Sequence, residues 1–267
     1  MSIAIVVLTY NRVHLLRQCV DNTLGRTSEA TKEIVIWNNG STDGTQTYLD
    51  ELHDPRLRVV HHPRNIGQSG YKPAFELTTS EYLVELDDDV IEAPHGWDQT
   101  LMDAIRRLPR CGFLAANLVN NPHDVTARIM YGAAADLYRV TEVEGVRLKL
   151  GPTGGGCAMT PRRVYDEVGG FRQNRRSTFW QEEAAYIRDI QKQGYEPAIL
   201  NDLEVLHAGG EYYAKEAPEK VEFWKAYQRR LDNRRRIKRV LLRLPLVRRL
   251  NERFHWFRVP GERRRAT

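Results

Sequence analysis

Four short apolar runs, each followed by a cluster of polar residues, constrain this chain more than any other feature. Residues 3–8 lead into Thr9-Tyr10-Asn11-Arg12, residues 34–37 into Asn38-Asn39-Gly40-Ser41-Thr42-Asp43-Gly44, residues 57–61 toward Asn65, and residues 82–86 straight into Asp87-Asp88-Asp89. Apolar runs of four to six residues with little alternation read as strands buried on both faces. Between them Leu15, Leu16, Cys19 and Val20 recur at helical spacing, and helices are predicted over 47–52 and 69–78. Strands alternating with helices predict an α/β fold, a mostly parallel sheet covered by helices. In such sheets ligands gather beyond the carboxyl ends of the strands. The distinctive polar clusters of this half therefore fall on one edge.

The second half is less regular. A strand is predicted over 111–119, and 120–151 reads as a β-excursion with hairpins. Gly154-Gly155-Gly156 precedes a short strand over 157–160, and Pro161 fits the first turn of a helix that stops before Gly169-Gly170-Phe171. A further helix spans 180–193 and ends at Gly194. A last strand over 199–207 closes on His207, ahead of Gly209-Gly210. From about residue 216 the chain reads as charged helix, with a break at Pro245.

Charge sets this last segment apart. Residues 229–267 hold fifteen Lys/Arg against three Asp/Glu, a net of +12; with +5 for the whole chain, the first 228 residues carry −7. An acidic body with a basic tail points to an anionic partner for the tail, a membrane surface or a nucleic acid, unless the charges form a solvated helical face. Other classes find no support. No apolar run reaches the roughly 18 residues of a membrane-spanning helix, and residues 3–8 lack the basic lead-in and cleavage site of a signal peptide. Cys19, Cys111 and Cys157 are too scattered for a disulfide framework or a metal pair, so a reducing cytoplasm is expected. Neither GxGxxG after the first strand nor GxxxxGK[ST] occurs, and GxSxG is absent, which removes the usual dinucleotide, P-loop and serine-hydrolase signatures.

Three features carry chemistry. Adjacent carboxylates repel, so Asp87-Asp88-Asp89 directly after a buried strand costs stability unless a cation sits there. Asp87 and Asp89 point the same way in an extended segment and can share one ligand, and hard oxygen donors suit Mg²⁺ or Mn²⁺ on a diphosphate. The other reading is an exposed acidic turn. His207, closing the last strand, is either structural or a further ligand. Glu182-Glu183 follows Phe179-Trp180-Gln181; it either decorates a helix start or supplies a carboxylate of raised pKa, fit to act as a general base.

In their order and spacing these motifs resemble the family 2 glycosyltransferases, inverting enzymes of the GT-A fold, over residues 1 to about 210. Thr9-Tyr10-Asn11-Arg12 is similar to the family's first nucleotide loop. Trp37 to Gly44 is similar to its second loop, with Asn38 where aspartate is usual. Asn65-Ile66-Gly67-Gln68-Ser69 resembles its third element, with Lys72 where arginine is common. Asp87-Asp88-Asp89 matches the DXD motif. Gly154-Gly155-Gly156 and Gly169-Gly170-Phe171 resemble the acceptor-side segment, Glu182-Glu183 the acidic pair, and His207 the late metal-binding histidine. The resemblance implies a catalytic domain over 1–212, with a nucleotide-binding half at 1–90 and an acceptor half at 91–212, and a helical extension over 213–267. It implies a nucleoside diphosphate sugar donor, UDP by default, resting on Thr9, Tyr10, Asn11, Arg12, Asn39, Asn65, Gly67, Lys72, Asp87 and Asp88. Asp89, His207 and Asp87 would hold Mn²⁺ or Mg²⁺, Gly155, Gly156 and Trp180 would meet the sugar or acceptor, and Glu183 or Glu182 would deprotonate the acceptor hydroxyl. A hexosyl- or pentosyltransferase follows.

The acceptor turns on the tail. Ile237, Val240, Leu241 and Leu244 fall at i, i+3, i+4 and i+7, and Val247, Leu250, Phe254 and Phe257 continue the stripe beyond Pro245, with arginines between. A basic amphipathic helix suits an anionic membrane surface, where lipid-linked glycan acceptors reside. That places the chain in the cytoplasm, peripheral to the inner face. The same arginines suit a polyanion, which makes DNA with hydroxymethylated bases a second acceptor class. The stripe also suits packing on the body or on a second subunit. A non-catalytic nucleotide-sugar or polyanion-binding protein is the reading from another class.

Overall fold

A computed structural model of the chain describes residues 1–120, 138–172 and 182–208, with scattered positions between 226 and 247. The chain divides into two compact units, Met1–Tyr212 and Tyr213–Thr267. In the first unit β1 (Ile3–Thr9), α1 (Val13–Arg26), β2 (Thr31–Asn38), α2 (Thr45–Asp50) and β3 (Leu57–His61) follow in turn. A 3-10 turn over Gly67–Gly70 leads into α3 (Tyr71–Glu76), then come β4 (Tyr82–Asp87), β5 (Val90–Glu92), α4 (Trp97–Arg106) and β6 (Cys111–Asn120). The hairpin β7 (Arg139–Val143) and β8 (Val146–Leu150) precedes β9 (Cys157–Pro161), α5 (Arg162–Glu167), α6 (Glu182–Lys192) and β10 (Glu196–His207).

All ten strands join one sheet in the order β3-β2-β1-β4-β9-β6-β10-β8-β7, with β5 added against β10. Strands β1, β2, β3, β4, β6, β7 and β10 run one way and β5, β8 and β9 the other. The mixed, mostly parallel sheet flanked by helices is the architecture that the sequence pattern predicts. Its parallel half explains the continuous apolar runs, because both faces are covered. Ile3, Ile5 and Val7 pack with Leu16, Cys19 and Val20 of α1 and with Trp97, Leu101 and Ile105 of α4. On the other face Ala4 and Val6 pack with Phe75 of α3, Val164 and Tyr165 of α5, and Tyr186 and Ile190 of α6. All three cysteines are free and buried.

Several boundaries differ from those the sequence predicts. The segment predicted as one helix over 69–78 divides into the 3-10 turn and the short α3. Pro161 is the last residue of β9 and the N-cap of α5 rather than part of its first turn. The sequence reading also leaves out β5 and α4. Of the excursion over 120–151, the β7–β8 hairpin is described; residues 121–137, 173–181 and 209–225 lie outside the described residues, and Trp180 is among them. Along the tail, Ile237 and Val240 are helical and, like Leu244, more than half exposed; most of the remaining tail positions lie outside the described residues.

Candidate active site

The strand ends meet on one edge as the topology requires. β1 lies between β2 and β4 in parallel register, which sets Thr9 beside Asn38 and Leu8 beside Asp87. His207 arrives from the far half of the sheet. Directly after the aspartates the chain turns back as β5, which pairs antiparallel with the end of β10 and puts Val90 opposite His207. The backbone N–H of Ala208 donates to the Asp89 carbonyl at 2.7 Å.

The result is a cluster of three donor groups. His207 Nε2 stands 3.1 Å from Asp89 Oδ1 and 3.9 Å from Asp87 Oδ2. One ligand atom from each of Asp87, Asp89 and His207 lies within 4.8 Å of the others. Two carboxylates and one imidazole form a donor set that fits a small divalent cation.

Arg12 sits at the back of the cluster, at the N-cap of α1. Its guanidinium donates to Asp88 Oδ1 at 2.8 Å and to Asp89 Oδ2 at 2.9 Å. Asp88 and Asp89 are both buried, so this cation offsets charge that the interior would otherwise disfavour. Asp89 thus spans the site, with one oxygen toward Arg12 and the other toward His207. Asp87 keeps 37% of its side chain open to the cleft. Even so, desolvation, then Asp89, and more weakly Glu183 and Asp88, push its carboxyl up to about 7, with His207 acting in the opposite sense. The Tyr71 hydroxyl donates to Asp87 Oδ1 and to the Leu86 carbonyl, each at 3.4 Å.

The polar loops that follow β1, β2 and β3 largely hold one another. Asn11, at φ 52°, accepts from the Thr42 backbone N–H at 2.7 Å, and its own N–H donates to Ser41 Oγ. Asn38 accepts from the Ser41 N–H, and its amide nitrogen meets His61 Nδ1 at 3.1 Å. Asn39 accepts from the Trp37 indole and donates to the Gly67 carbonyl, while Asn65 accepts from the Gly67 N–H. Lys72 reaches Glu76 and the Gly169 carbonyl. Two residues face differently. Tyr10 is 40% exposed at the rim, an open ring suited to stacking on a base. Thr9 is buried, and its hydroxyl has no hydrogen-bond partner among the described residues.

Opposite the cluster lies a second group of carboxylates. Glu183, on the first turn of α6, accepts from the Gln68 side-chain amide at 3.2 Å. A Cβ at Gly155 would collide with Glu85 Oε1 and come within 2.8 Å of Glu183 Oε1, so both carboxylates press on this glycine. Gly156, at φ +87°, has Asp87 Oδ2 only 3.5 Å from where its Cβ would lie, and its carbonyl accepts from the Asp87 N–H at 2.7 Å. The glycine run is thus the spine between the two acidic groups. Glu182 is the first residue of α6. Gln68, Tyr71 and Glu85 escape the sequence reading as site residues, although a glutamate in the apolar run at 82–86 is itself a signal, because buried charge is rare in a strand.

Comparison with known proteins gives the family and the fold. The family model described as Glycosyl transferase family 2 matches residues 4–180. The chain is 27% identical over 106 residues to chondroitin synthase of Pasteurella multocida, covering 39% of this chain and 11% of that protein. It therefore spans only about a tenth of the synthase's length. An N-acetylglucosaminyl-diphospho-decaprenol L-rhamnosyltransferase of Mycobacterium tuberculosis is 25% identical over 236 residues, covering 76% of this chain and 75% of that one. Among solved structures, the mannosyltransferase PcManGT of Pyrobaculum calidifontis in complex with GDP-Man and Mn²⁺ superposes with a TM-score of 0.56. It is 22% identical and covers 79% of this chain and 59% of that one, a likeness of fold.

Proposed function

The chain belongs to glycosyl transferase family 2, and from that premise we propose that it transfers a hexose or pentose, with inversion, from a nucleoside diphosphate donor to the hydroxyl of a lipid-linked glycan. The observation that carries the reading is the meeting of Asp87, Asp89 and His207 on the edge where β1, β2 and β4 also end. An imidazole beside two carboxylates favours Mn²⁺ over Mg²⁺. When bound, the cation supplies positive charge to the departing diphosphate.

The chain's own residues do the rest. Tyr10 stacks on the base, which we take as uracil, and Asn11, Asn39, Asn65 and Gly67 keep the loops around it in shape. Arg12 pairs with Asp88 and Asp89 and offsets their buried charge. Glu183 takes the proton from the acceptor hydroxyl. That oxygen forms a bond to the anomeric carbon as the bond from that carbon to the diphosphate oxygen breaks on the opposite face, which inverts the configuration. Gly155 and Gly156 let the backbone lie directly against the two acidic groups.

The lipid-linked acceptor is supported by the decaprenol rhamnosyltransferase, which matches across most of both chains, and by the tail, whose exposed Ile237, Val240 and Leu244 lie among arginines. Such a helix suits the anionic inner face of a membrane. The test is a screen of nucleotide sugars with Mn²⁺, following release of nucleoside diphosphate with polyprenyl-diphosphate N-acetylglucosamine or hydroxymethylcytosine DNA as acceptor. Turnover that requires the lipid-linked acceptor supports the reading. Turnover that requires the DNA replaces the acceptor class, and no turnover of any donor removes the catalytic assignment.

A further inference from the structure

Glu183 and Gln68 come from distant parts of the chain, yet their side chains meet inside the cleft. A glutamate has three side-chain torsions, and ordering them for proton transfer costs conformational entropy that some contact must offset. The surroundings of the two Glu183 oxygens differ. Oε1 receives the Gln68 amide N–H at 3.2 Å and lies against Gly155, with Glu85 on the other side of the same glycine. Oε2 lies toward Gly154, at an ordinary 3.8 Å from where a Cβ there would stand. Gln68 is itself well anchored, because it follows Gly67, which is held by both Asn39 and Asn65.

We propose that Gln68 is a positioning residue for the transfer step: its amide holds the Glu183 carboxylate, through Oε1, in its place against Gly155 for proton transfer. The inference rests on Glu183 being the base. Gln68 acts through Glu183, to which its side-chain amide is bonded. A side chain without an N–H at this position lets the carboxylate swing away from its place on the glycine spine. A glutamate there sets a second carboxylate against Oε1 and displaces it.

The experiment is a double-mutant cycle on the full chain, using Gln68→Leu, Gln68→Glu, Glu183→Gln and the pair Q68L/E183Q. Turnover is measured with the donor and acceptor found by the screen, and UDP binding in Mn²⁺ by calorimetry. We expect Q68L and Q68E to lower kcat by about 10- to 100-fold, with KM for the acceptor and the UDP Kd unchanged within twofold. The pair should be no slower than E183Q alone, because a residue acting only through Glu183 has nothing left to position. Crystal structures of wild type and Q68L give a readout independent of turnover, with the Glu183 carboxylate leaving the Gly154–Gly155 backbone in the variant. If E183Q is inactive while Q68L and Q68E keep wild-type kcat, the role of Gln68 is overturned and the base is not. Additive losses in the pair, a loss confined to UDP affinity, or an unmoved Glu183 in Q68L also overturn it. An active E183Q removes the base assignment itself.

Discussion

His207 Nε2 stands 3.1 Å from Oδ1 of Asp89 although the two residues lie in different halves of the chain, and the three-residue strand β5 is what joins them. Because β5 turns back on the end of β10, the histidine and the aspartate are fixed by one backbone ladder. Asp89→Ala and His207→Ala should each weaken Mn²⁺ binding by at least about a hundredfold, the upper range for loss of even an outer partner. Calorimetric titration with Mn²⁺ checks this, with Asp103→Ala, on the exposed side of α4, as the unaffected control.

Acidity links the same site to stability. The Asp87 carboxyl is pushed from its ordinary 3.8 up to about 7 in the folded chain. The metal-free folded state therefore binds this proton more tightly than the unfolded chain does. The stability it contributes is fully present below about pH 4 and is lost as pH rises through about 7. Cation binding needs the ionised form, so Mn²⁺ affinity should rise by about tenfold from pH 6 to pH 8. Thermal unfolding without metal should become less pH-dependent over this range in Asp87→Asn.

Arg12 makes a prediction about folding. Its guanidinium pairs with Asp88 and Asp89, whose side chains are 6% and 0% exposed. Removing one partner of a buried ion pair costs about 3–5 kcal/mol, so Arg12→Ala should lower the urea midpoint strongly. Saturating Mn²⁺ should restore part of the loss, because a cation binding only the folded state adds stability by mass action. A variant as stable as wild type without metal would show that Arg12 has no such role.

The strand ends are legible in the sequence because both sheet faces are covered, so β1, β2, β3 and β4 stand out as apolar runs against polar loops. Asp87, Asp89 and His207 are legible as candidates for the same reason. What joins them is less so, since β5 has three residues, too few for any periodicity. Helix α4 does carry a helical period in Trp97, Leu101, Met102 and Ile105, all buried, but it marks no polar cluster. Gln68 lies within a motif but carries no role there; its meaning arises only when α6 brings Glu183 beside it. Asn11, Asn39 and Asn65 read in sequence as ligand contacts, whereas in the fold each also makes a side-chain hydrogen bond that ties the loops together.

The glycine spine can be probed by one added methyl group. At Gly155 a Cβ meets Glu85 and Glu183, whereas at Gly154 its only near neighbour among the described residues is Glu183 Oε2 at 3.8 Å. Overpacking of this kind costs about 1–3 kcal/mol. Gly155→Ala should lower stability by that amount and kcat by at least about tenfold through displacement of Glu183. Gly154→Ala should unfold with wild-type stability. Equal behaviour of the two variants in denaturation and turnover would contradict this picture of the spine.

The most direct test of the account compares wild type and Glu183→Gln in two measurements on the same samples, turnover of the donor and acceptor pair and UDP binding in Mn²⁺. If Glu183 is the base, turnover falls by about a hundred- to ten-thousandfold while UDP binds with unchanged affinity, because glutamine keeps the shape and loses only the proton acceptor. Turnover within twofold of wild type in this variant would contradict the assignment of the site.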